Sequence, residues 1–427
     1  MDEAALLYDW NLGAPEAQRS AGPPGKLGAA VVLDETLRDG IQSPSAIDPT
    51  LDEKIRLLHL MDALGVGQLD LGLPGAGANQ RAAIERLCVE IRDSKLSIRA
   101  NVACRTVVGD IEPVAGMVQR TGVPLEVYAF IGSSPIRQYA EEWDVAFIEK
   151  QSVEAIRFAV SQGLSVAYVT EDTTRSRPDQ LRRLFLSAIE AGARRLCLCD
   201  TVGHATPEGA AALVQWAQTI VRESGVEVGL DWHGHNDRGL ALANALAAGA
   251  AGATRLHGCA AGIGERVGNT ATDQLLVNLK LLGHPLYGPR DLTRLCEFTT
   301  LAAKATGYAV PVNYPLVGSD AFRTATGVHA AAIVKAQRKG DRWLADRIYS
   351  GVPAGEFGKQ QQIEVGPMSG LSNVKHWLAT HQIPADEGLA KAVLARAKGV
   401  SRTLTEGEVA ALVAELRSQP LAQGGAA

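Results

Sequence analysis

The chain has 427 residues, of which 46% are hydrophobic and 21% are charged, and its net charge at pH 7 is −5. This composition is that of a globular protein and excludes extended disorder. The mild acidity argues against nucleic-acid and membrane-surface binding, and no apolar run is long enough to span a bilayer. The N-terminus lacks the basic segment of a signal peptide, so we expect a cytoplasmic protein.

The first 28 residues are rich in Gly, Pro and Ala, which predicts an N-terminal extension. From residue 29 short apolar runs alternate with longer amphipathic ones, a pattern typical of repeated strand–helix units. The eight candidate strands are residues 30–34, 68–71, 97–102, 125–130, 164–170, 195–199, 227–232 and 255–258. Helices are expected between them, for example at 52–64, 179–191, 207–224, 239–248 and 270–282. Eight such units in residues 29–285 predict an α/β TIM (β/α)8 barrel, with an open doubly wound sheet as the alternative.

After Pro285 this alternation stops, and residues 286–427 are expected to form a smaller, mainly helical C-terminal region. A helix is predicted at 290–307, a Gly/Pro-punctuated linker at 308–330, and short helices with loops at 341–427. Thr405 and Glu408 have the spacing of a capping box before the last helix. The six cysteines form no CxxC pair and are expected to be buried, reduced thiols.

Polar residues follow nearly every candidate strand. Because the carboxyl ends of the strands form the working face of a β/α barrel, these side chains should meet at one mouth, and their recurrence indicates an enzyme. In strand order they are Asp34, Glu35, Arg38, Asp39 and Gln42; Asp70; Cys104 and Arg105; Ser133, Ser134 and Arg137; Glu171, Asp172 and Arg175; Asp200 and Thr201; His233, His235 and Asp237; and Glu265, Arg266 and Asn269.

His233 and His235 are two residues apart, which on extended backbone puts both imidazoles on one side. Together with a carboxylate from Asp39 or Glu35 they could hold a divalent cation; an unoccupied surface pair is the plainer interpretation. His257 fits a core position as well as a site. Two histidines and a carboxylate also describe non-haem iron oxygenases, but their antiparallel folds contradict this strand–helix pattern.

The motifs LDETLRDGIQ, EDTTR, DTVG, HGHND and GIGERVGN together resemble those of the metal-dependent acyl-CoA condensing barrels. That family includes 2-isopropylmalate, homocitrate and citramalate synthases and the Re-type citrate synthase, with hydroxymethylglutaryl-CoA (HMG-CoA) lyase as a cousin. The resemblance covers residues 30–285 strongly and 318–375 more loosely. It implies an acyltransferase that condenses acetyl-CoA with a 2-oxo acid and depends on a divalent cation such as Mg, Mn, Zn or Co.

The resemblance also implies roles for single residues. The metal ligands would be Asp39, His233 and His235, with Asn269 beside the metal. The catalytic residues of the barrel would be Arg38 and Glu171. The contacts to the 2-oxo acid would include Gln42 and Thr201.

A further motif, FRTATGVHAAAIVK, resembles the stretch in which the family carries two histidines. His329 matches the second of them, and Tyr349 matches the tyrosine that acts with it; Thr324 stands in place of the first histidine. In the family both catalytic residues reach the barrel of the partner subunit, which implies a homodimer. The general base is then either Glu171 or the His329–Tyr349 pair.

The identity of the 2-oxo acid stays open. We expect its side chain to contact strand-end residues, namely Asp70, Arg105, Ser133, Ser134 and Arg137. FIGSSPIR resembles the isopropylmalate type, but Arg137 replaces a common histidine and could pair with the second carboxylate of a dicarboxylate. It could equally lie outside the pocket and pair with Glu141 or Glu142.

Isopropylmalate and homocitrate synthesis therefore fit about equally, ahead of Re-citrate and citramalate synthesis. Glu265 and Arg266 replace the catalytic cysteine of the lyase cousin, which favours synthesis over cleavage. A non-catalytic ligand-sensing barrel would be expected to have lost a metal ligand or Arg38, and neither is lost. Only about 50 residues follow SGLSNVKHWL, so no leucine-sensing domain is expected.

Overall fold

The computed structural model describes residues 28–384 and 386–418, together with Leu6. The predicted N-terminal extension, residues 1–28, lies outside the described residues except for Leu6 and Gly28. The described chain divides into two compact units. The first holds the chain up to Arg290 together with Glu297–Ala309, and the second holds Asp291–Cys296 and the chain from Val310 onward.

The first unit is built on a closed barrel of eight parallel strands in sequential order, with the last strand pairing with the first. The prediction of a TIM barrel is confirmed. The strands are β1 (Val31–Asp34), β2 (Gln68–Asp70), β3 (Arg99–Arg105), β4 (Leu125–Gly132), β5 (Ser165–Glu171), β6 (Arg195–Asp200), β7 (Gly229–Gly234) and β8 (Arg255–Gly258). The helices are α1 (Leu51–Leu64), α2 (Ala78–Asp93), α3 (Val108–Thr121), α4 (Pro135–Glu141), α5 (Val145–Ser161), α6 (Pro178–Ala191), α7 (Pro207–Ser224), α8 (Ala241–Ala250), α9 (Thr272–Leu281) and α10 (Leu295–Thr306).

Local sequence signals explain where several helices begin. Thr50 and Glu53 form a complete capping box at the start of α1, so two backbone N–H groups of its first turn are satisfied by side chains. Pro207 occupies the first turn of α7, and the hydroxyl of Thr206 accepts the N–H of Gly209. The amphipathic runs thus form the outer helices, and their apolar faces cover a barrel whose strands are mostly buried.

Two details of the sequence prediction were wrong. Five strands continue beyond their predicted ends at residues 102, 130, 170, 199 and 232, because the polar residues that seemed to end them still pair in the sheet. His233, for example, lies opposite Cys199, and Gly132 lies opposite Glu171. In addition, β4 and β5 are connected by two helices, α4 and α5, rather than one.

The second unit is mainly helical and adds a short parallel pair of strands. Its elements are β9 (Arg323–Thr324), α11 (Gly327–Arg338), α12 (Arg342–Arg347), β10 (Gln362–Ile363), α13 (Leu371–Thr380), α14 (Glu387–Lys398) and α15 (Glu406–Ser418). Part of the predicted linker at 308–330 therefore belongs to β9 and α11. The predicted capping box is present, since Thr405 and Glu408 exchange hydrogen bonds of 2.8 and 3.3 Å. The core of the last three helices includes Trp377, Val393 and Val413.

All six cysteines are buried and none is in a disulfide, as predicted. No described helix combines the length and the apolar character that a membrane span requires.

Candidate active site

A pocket of about 160 Å³ opens at the carboxyl ends of the barrel strands, and its lining has two contrasting halves. The polar half is carried on or next to β1, β7 and β8 and consists of Glu35, Arg38, Asp39, His233, His235 and His257. The apolar half is carried on β3 to β6 and the loop after β2 and consists of Leu73, Ala103, Tyr128, Phe130, Val169, Cys197 and Cys199. The lining is completed by Gln42, Glu171, Thr201 and Glu265.

Asp39, His233 and His235 form a cluster that can hold a metal ion. Each offers a ligand atom within 4.8 Å of the other two, and all three residues are buried. His233 lies in the β6–β7 ladder and His235 follows β7 directly, so the extended backbone brings both imidazoles to one side. Nε2 of His235 lies 3.6 Å from Oδ2 of Asp39. The sequence-predicted HxH pair and carboxylate are therefore brought together.

Two unsatisfied atoms beside this cluster are consistent with a bound cation. Nδ1 of His235 and Oδ1 of Asn269 are buried and have no hydrogen-bond partner among the described residues, whereas buried polar atoms are nearly always paired. Burial and the nearby His233 lower the pKa of His235, which keeps its imidazole in the neutral form that binds metals. Imidazole, carboxylate and amide ligands together suit a divalent cation.

The loop GIGERVGN holds Asn269 against the metal cluster. The Asn269 amide donates to Oδ2 of Asp39 at 2.7 Å and to the carbonyl of Ile263 at 3.1 Å. Gly264 has a φ of +152°, and a Cβ added there would lie 2.2 Å from Nδ2 of Asn269. Glycine is needed at this position because both the backbone conformation and the close approach exclude a side chain.

Arg38 is held by three carboxylates. Its Nε donates to Asp70 at 3.0 Å, one Nη donates to Asp39 at 2.8 Å, and the other donates to Glu35. Burial alone would lower the pKa of Arg38, but these carboxylates raise it well above its ordinary value. Burial also raises the pKa of Asp70 to about 6, although Arg38 opposes this. The guanidinium is thus a fixed positive charge next to the metal cluster.

Glu35 connects Arg38 to the metal cluster and to the barrel interior. Its Oε2 lies 2.6 Å from Nδ1 of His233, and its Oε1 lies 3.3 Å from Nδ1 of His257. Nε2 of His257 in turn lies 3.4 Å from Asp231. Burial opposes ionisation of Glu35, but Arg38 and His233 hold its pKa well below the usual range. A carboxylate behind a histidine fixes the tautomer and leaves Nε2 directed at the metal.

Three further predicted residues line the pocket, namely Gln42, Glu171 and Thr201. Burial raises the pKa of Glu171, with the charges of Arg137 and Arg38 opposing it, so this carboxylate is a stronger base than an exposed one. The hydroxyl oxygen of Thr201 accepts the backbone N–H of Asp172 at 2.8 Å. Its own proton therefore remains available to a substrate oxygen.

The other predicted substrate contacts do not line the pocket. Asp70 lies behind Arg38, and Ser134 caps α4. Arg105 makes a two-pronged ion pair with Asp110, and Arg137 lies 3.1 Å from Glu141. In the second unit His329 and Tyr349 stack with their ring centroids 4.2 Å apart, so the structure brings these two predicted residues together.

Sequence reasoning missed the whole apolar half. Tyr128 and Phe130 on β4, and Cys197 and Cys199 on β6, are spaced two apart and all face the pocket. This spacing is the signal that could have identified them, because alternate strand residues share a face. These residues fall within predicted strands, and the cysteines were expected to be buried; Tyr128, Cys197 and Cys199 do belong to a buried hydrophobic cluster.

The chain is similar to known proteins over most of its length. The family model described as HMGL-like matches residues 30–302. The chain is 31% identical to homocitrate synthase 1 of Nostoc sp. over 91% of this chain and 97% of that protein. It is 32% identical to 2-isopropylmalate synthase of Sulfolobus acidocaldarius, over 87% of this chain and 90% of that protein.

Among solved structures, the hydroxymethylglutaryl-CoA lyase of Pseudomonas aeruginosa superposes with a TM-score of 0.52 at 21% identity. The match covers 65% of this chain and 94% of the lyase. At this identity the likeness shows the shared barrel fold alone.

Proposed function

The chain belongs to the HMGL-like family, and we propose that it is an acyltransferase that condenses acetyl-CoA with a 2-oxo acid in a reaction that depends on a divalent cation. The observation that carries the proposal is the buried cluster of Asp39, His233 and His235 with Arg38 bonded to Asp39. Synthases that resemble this chain over most of its length support the reaction class.

A divalent cation held by Asp39, His233 and His235 would polarise the keto group of the 2-oxo acid and stabilise negative charge that develops on its oxygen. Mg, Mn, Zn and Co remain the candidate ions. Asn269 positions Asp39 through its 2.7 Å hydrogen bond. Gln42 and Thr201 lie where they can bind the substrate carboxylate.

In the proposed reaction the methyl carbon of acetyl-CoA loses a proton and bonds to the keto carbon, and water then cleaves the thioester and releases coenzyme A. Arg38 supplies a fixed positive charge next to the oxygen that becomes negative. Glu171 is our candidate for the base, because its carboxylate lines the pocket and burial raises its pKa.

We also propose that the protein acts as a homodimer, in which His329 and Tyr349 of one subunit serve the barrel of the other. The two rings stack on each other, and Tyr349 keeps 46% of its surface exposed. A stacked and exposed pair of this kind has no evident packing role in its own unit. The cysteines are buried and not in disulfides, which suits a reducing compartment, so we propose that the enzyme is cytoplasmic.

The test is release of free thiol from acetyl-CoA in the presence of different 2-oxo acids, with and without a chelator. We expect release with at least one acid, loss of release with chelator, and recovery when a divalent cation is added back. A protein that instead cleaves HMG-CoA would be a lyase. Tight binding of a 2-oxo acid without any thiol release would indicate a ligand-sensing barrel.

A further inference from the structure

We infer that the preferred 2-oxo acid is a monocarboxylate with a short, uncharged aliphatic side chain, and that the apolar half of the pocket is its binding subsite. This inference rests on the proposed function and names the substrate class of the same site. The motifs alone do not distinguish aliphatic from dicarboxylic substrates, and this inference chooses the aliphatic ones.

The apolar half is continuous across neighbouring strands. Phe130 on β4 lies opposite Val169 on β5, and Val169 lies opposite Cys197 on β6. Ala103 on β3 lies opposite Tyr128 on β4. The side chains of Phe130 and Val169 are only partly buried, so they present apolar surface to the cavity itself. An aliphatic group placed there would remove that surface from water, which is favourable.

The charges of the pocket oppose a second substrate carboxylate. Among the described residues, Arg38 is the only arginine or lysine in the lining, and three carboxylates already surround it. The other ionisable groups of the lining outside the metal cluster are the carboxylates Glu35, Glu171 and Glu265 and the imidazole of His257, which lies against Glu35 and Asp231. A distal carboxylate directed at the apolar half would lose its hydration without gaining an arginine or lysine partner, and a buried unpaired charge is costly.

Arg105 and Arg137, the two arginines that could have paired with a dicarboxylate, form ion pairs with acidic residues of this chain. Both Arg105 bonds to Asp110 are 2.8 Å long, and 64% of the Arg105 side chain is exposed. Arg137 pairs with Glu141 one helical turn away, and half of its side chain is exposed. Neither guanidinium lines the pocket. Arg137 therefore pairs within α4, and its charge also acts on Glu171 in the lining.

The size of the pocket limits the length of the side chain. The cavity of about 160 Å³ must also hold the keto acid group and the acetyl group. Phe130 and Val169 line its apolar half. This volume favours a short side chain, such as the methyl group of pyruvate, the ethyl group of 2-oxobutyrate or the isopropyl group of 2-oxoisovalerate.

The first experiment compares kcat/KM for pyruvate, 2-oxobutyrate and 2-oxoisovalerate with that for oxaloacetate and 2-oxoglutarate, using thiol release from acetyl-CoA. We expect the best monocarboxylate to exceed both dicarboxylates by about 100-fold or more, because an unpaired carboxylate would have to be buried. Preference for a dicarboxylate would overturn this inference and leave the proposed function intact. No release with any of the five acids would overturn the proposed function and this inference with it.

The second experiment changes the subsite. Val169→Ala should shift the ratio of kcat/KM for a longer acid, 2-oxoisocaproate, over that for the best short acid by about tenfold in favour of the longer one. Val160→Ala on α5 is the matched control, because Val160 is 40% exposed and lies outside the pocket. An unchanged ratio in a folded Val169→Ala variant would remove Val169 from the subsite.

Arg137→Gln gives an independent check, since a selective loss of dicarboxylate turnover would show that Arg137 does bind the substrate.

Discussion

The two halves of the pocket are built by opposite physical means. The polar half gathers ionisable side chains that hold one another in place, as Glu35 does with Arg38 and His233. The apolar half consists mainly of side chains positioned by the pairing of β3 to β6 and by packing against one another. The division separates two tasks: one half can hold a cation and the reacting groups, and the other can select the substrate side chain.

Two buried carboxylates next to the polar half, Asp34 and Asp70, cost folding stability. Burial raises the pKa of both Asp34 and Asp70 to about 6, so each carboxylate is harder to ionise in the folded protein than in water. Such a cost is tolerated at sites where the charges perform a function. If the two halves have these separate tasks, changes in the polar half should alter metal binding and pH dependence. Changes in the apolar half should alter substrate preference.

The largest effect is expected from His235→Ala, which removes one ligand of the metal cluster. We expect loss of the bound divalent cation and a fall in kcat of more than about a thousandfold, or roughly 4 kcal/mol. The measurements are metal content by elemental analysis after dialysis and thiol release from acetyl-CoA. His59→Ala on α1 is the control, because His59 is 42% exposed and pairs with Glu90. A His235→Ala enzyme with wild-type metal content would contradict the assignment of the cluster.

The next effect is a pH dependence of stability that comes from Asp34, a fully buried carboxylate that accepts hydrogen bonds from Thr36 and Thr272. Its pKa is about 6 in the folded protein, mainly through burial, and near 4 when unfolded. Between these values the folded state binds more protons, so unfolding free energy falls as the pH rises from 4 to 6. The shift corresponds to about 3 kcal/mol.

Asp34→Asn removes this titration, and urea unfolding at pH 4, 5, 6 and 7 measures the result. The stability of the wild type relative to the variant should decrease by about 2 kcal/mol from pH 4 to pH 6 and by less than about 0.5 kcal/mol from pH 6 to pH 7. Asp70 titrates in both proteins and cancels in the comparison. A difference that is constant over this pH range would show that Asp34 is ionised without penalty.

A smaller effect is expected from Glu35→Gln, because Glu35 does not bind the cation in our assignment. Loss of the carboxylate behind His233 should weaken metal affinity by about 10- to 100-fold, the range typical of groups that orient a metal-bound histidine. Titration of the metal-free protein with Co²⁺, followed by its absorption spectrum, measures affinity without turnover. A spectrum of changed shape, rather than a weaker titration, would indicate that Glu35 is itself a ligand.

Sequence reasoning succeeded for the polar half because its residues follow strand ends, and the ends of barrel strands meet at one mouth. It predicted that Asp39, His233 and His235 lie together, and the structure brings them together. It could not identify Phe130 or Val169, because an apolar residue inside a strand looks the same whether it faces the core or a cavity. The register of the closed barrel decides this, and register is a property of the whole sheet.

The partners of Arg105 and Arg137 could not be predicted from the sequence for a different reason. A charge near a strand end predicts a functional residue only if no nearer partner takes it. Arg105 and Arg137 both find an acidic partner within five residues, Asp110 and Glu141. The sequence is compatible with a substrate contact and with a local ion pair for each arginine. Only the conformation of the loops and of α4 selects the local ion pairs.

The smallest expected effect tests whether the halves are independent. In Cys197→Ser a hydroxyl replaces a thiol that is fully buried in the apolar half, 3.8 Å from the sulfur of Cys199. Burial of a poorly satisfied hydroxyl should lower the unfolding free energy by about 1 kcal/mol. Cys88→Ser on α2 makes the same chemical change at another fully buried site and should cost a similar amount. Only Cys197→Ser should change the order of preference among 2-oxo acids, and neither variant should change the affinity for Co²⁺. If Cys197→Ser also weakened Co²⁺ binding while Cys88→Ser did not, the two halves would be mechanically coupled through β6 and β7, and substrate selection could not be separated from the metal site.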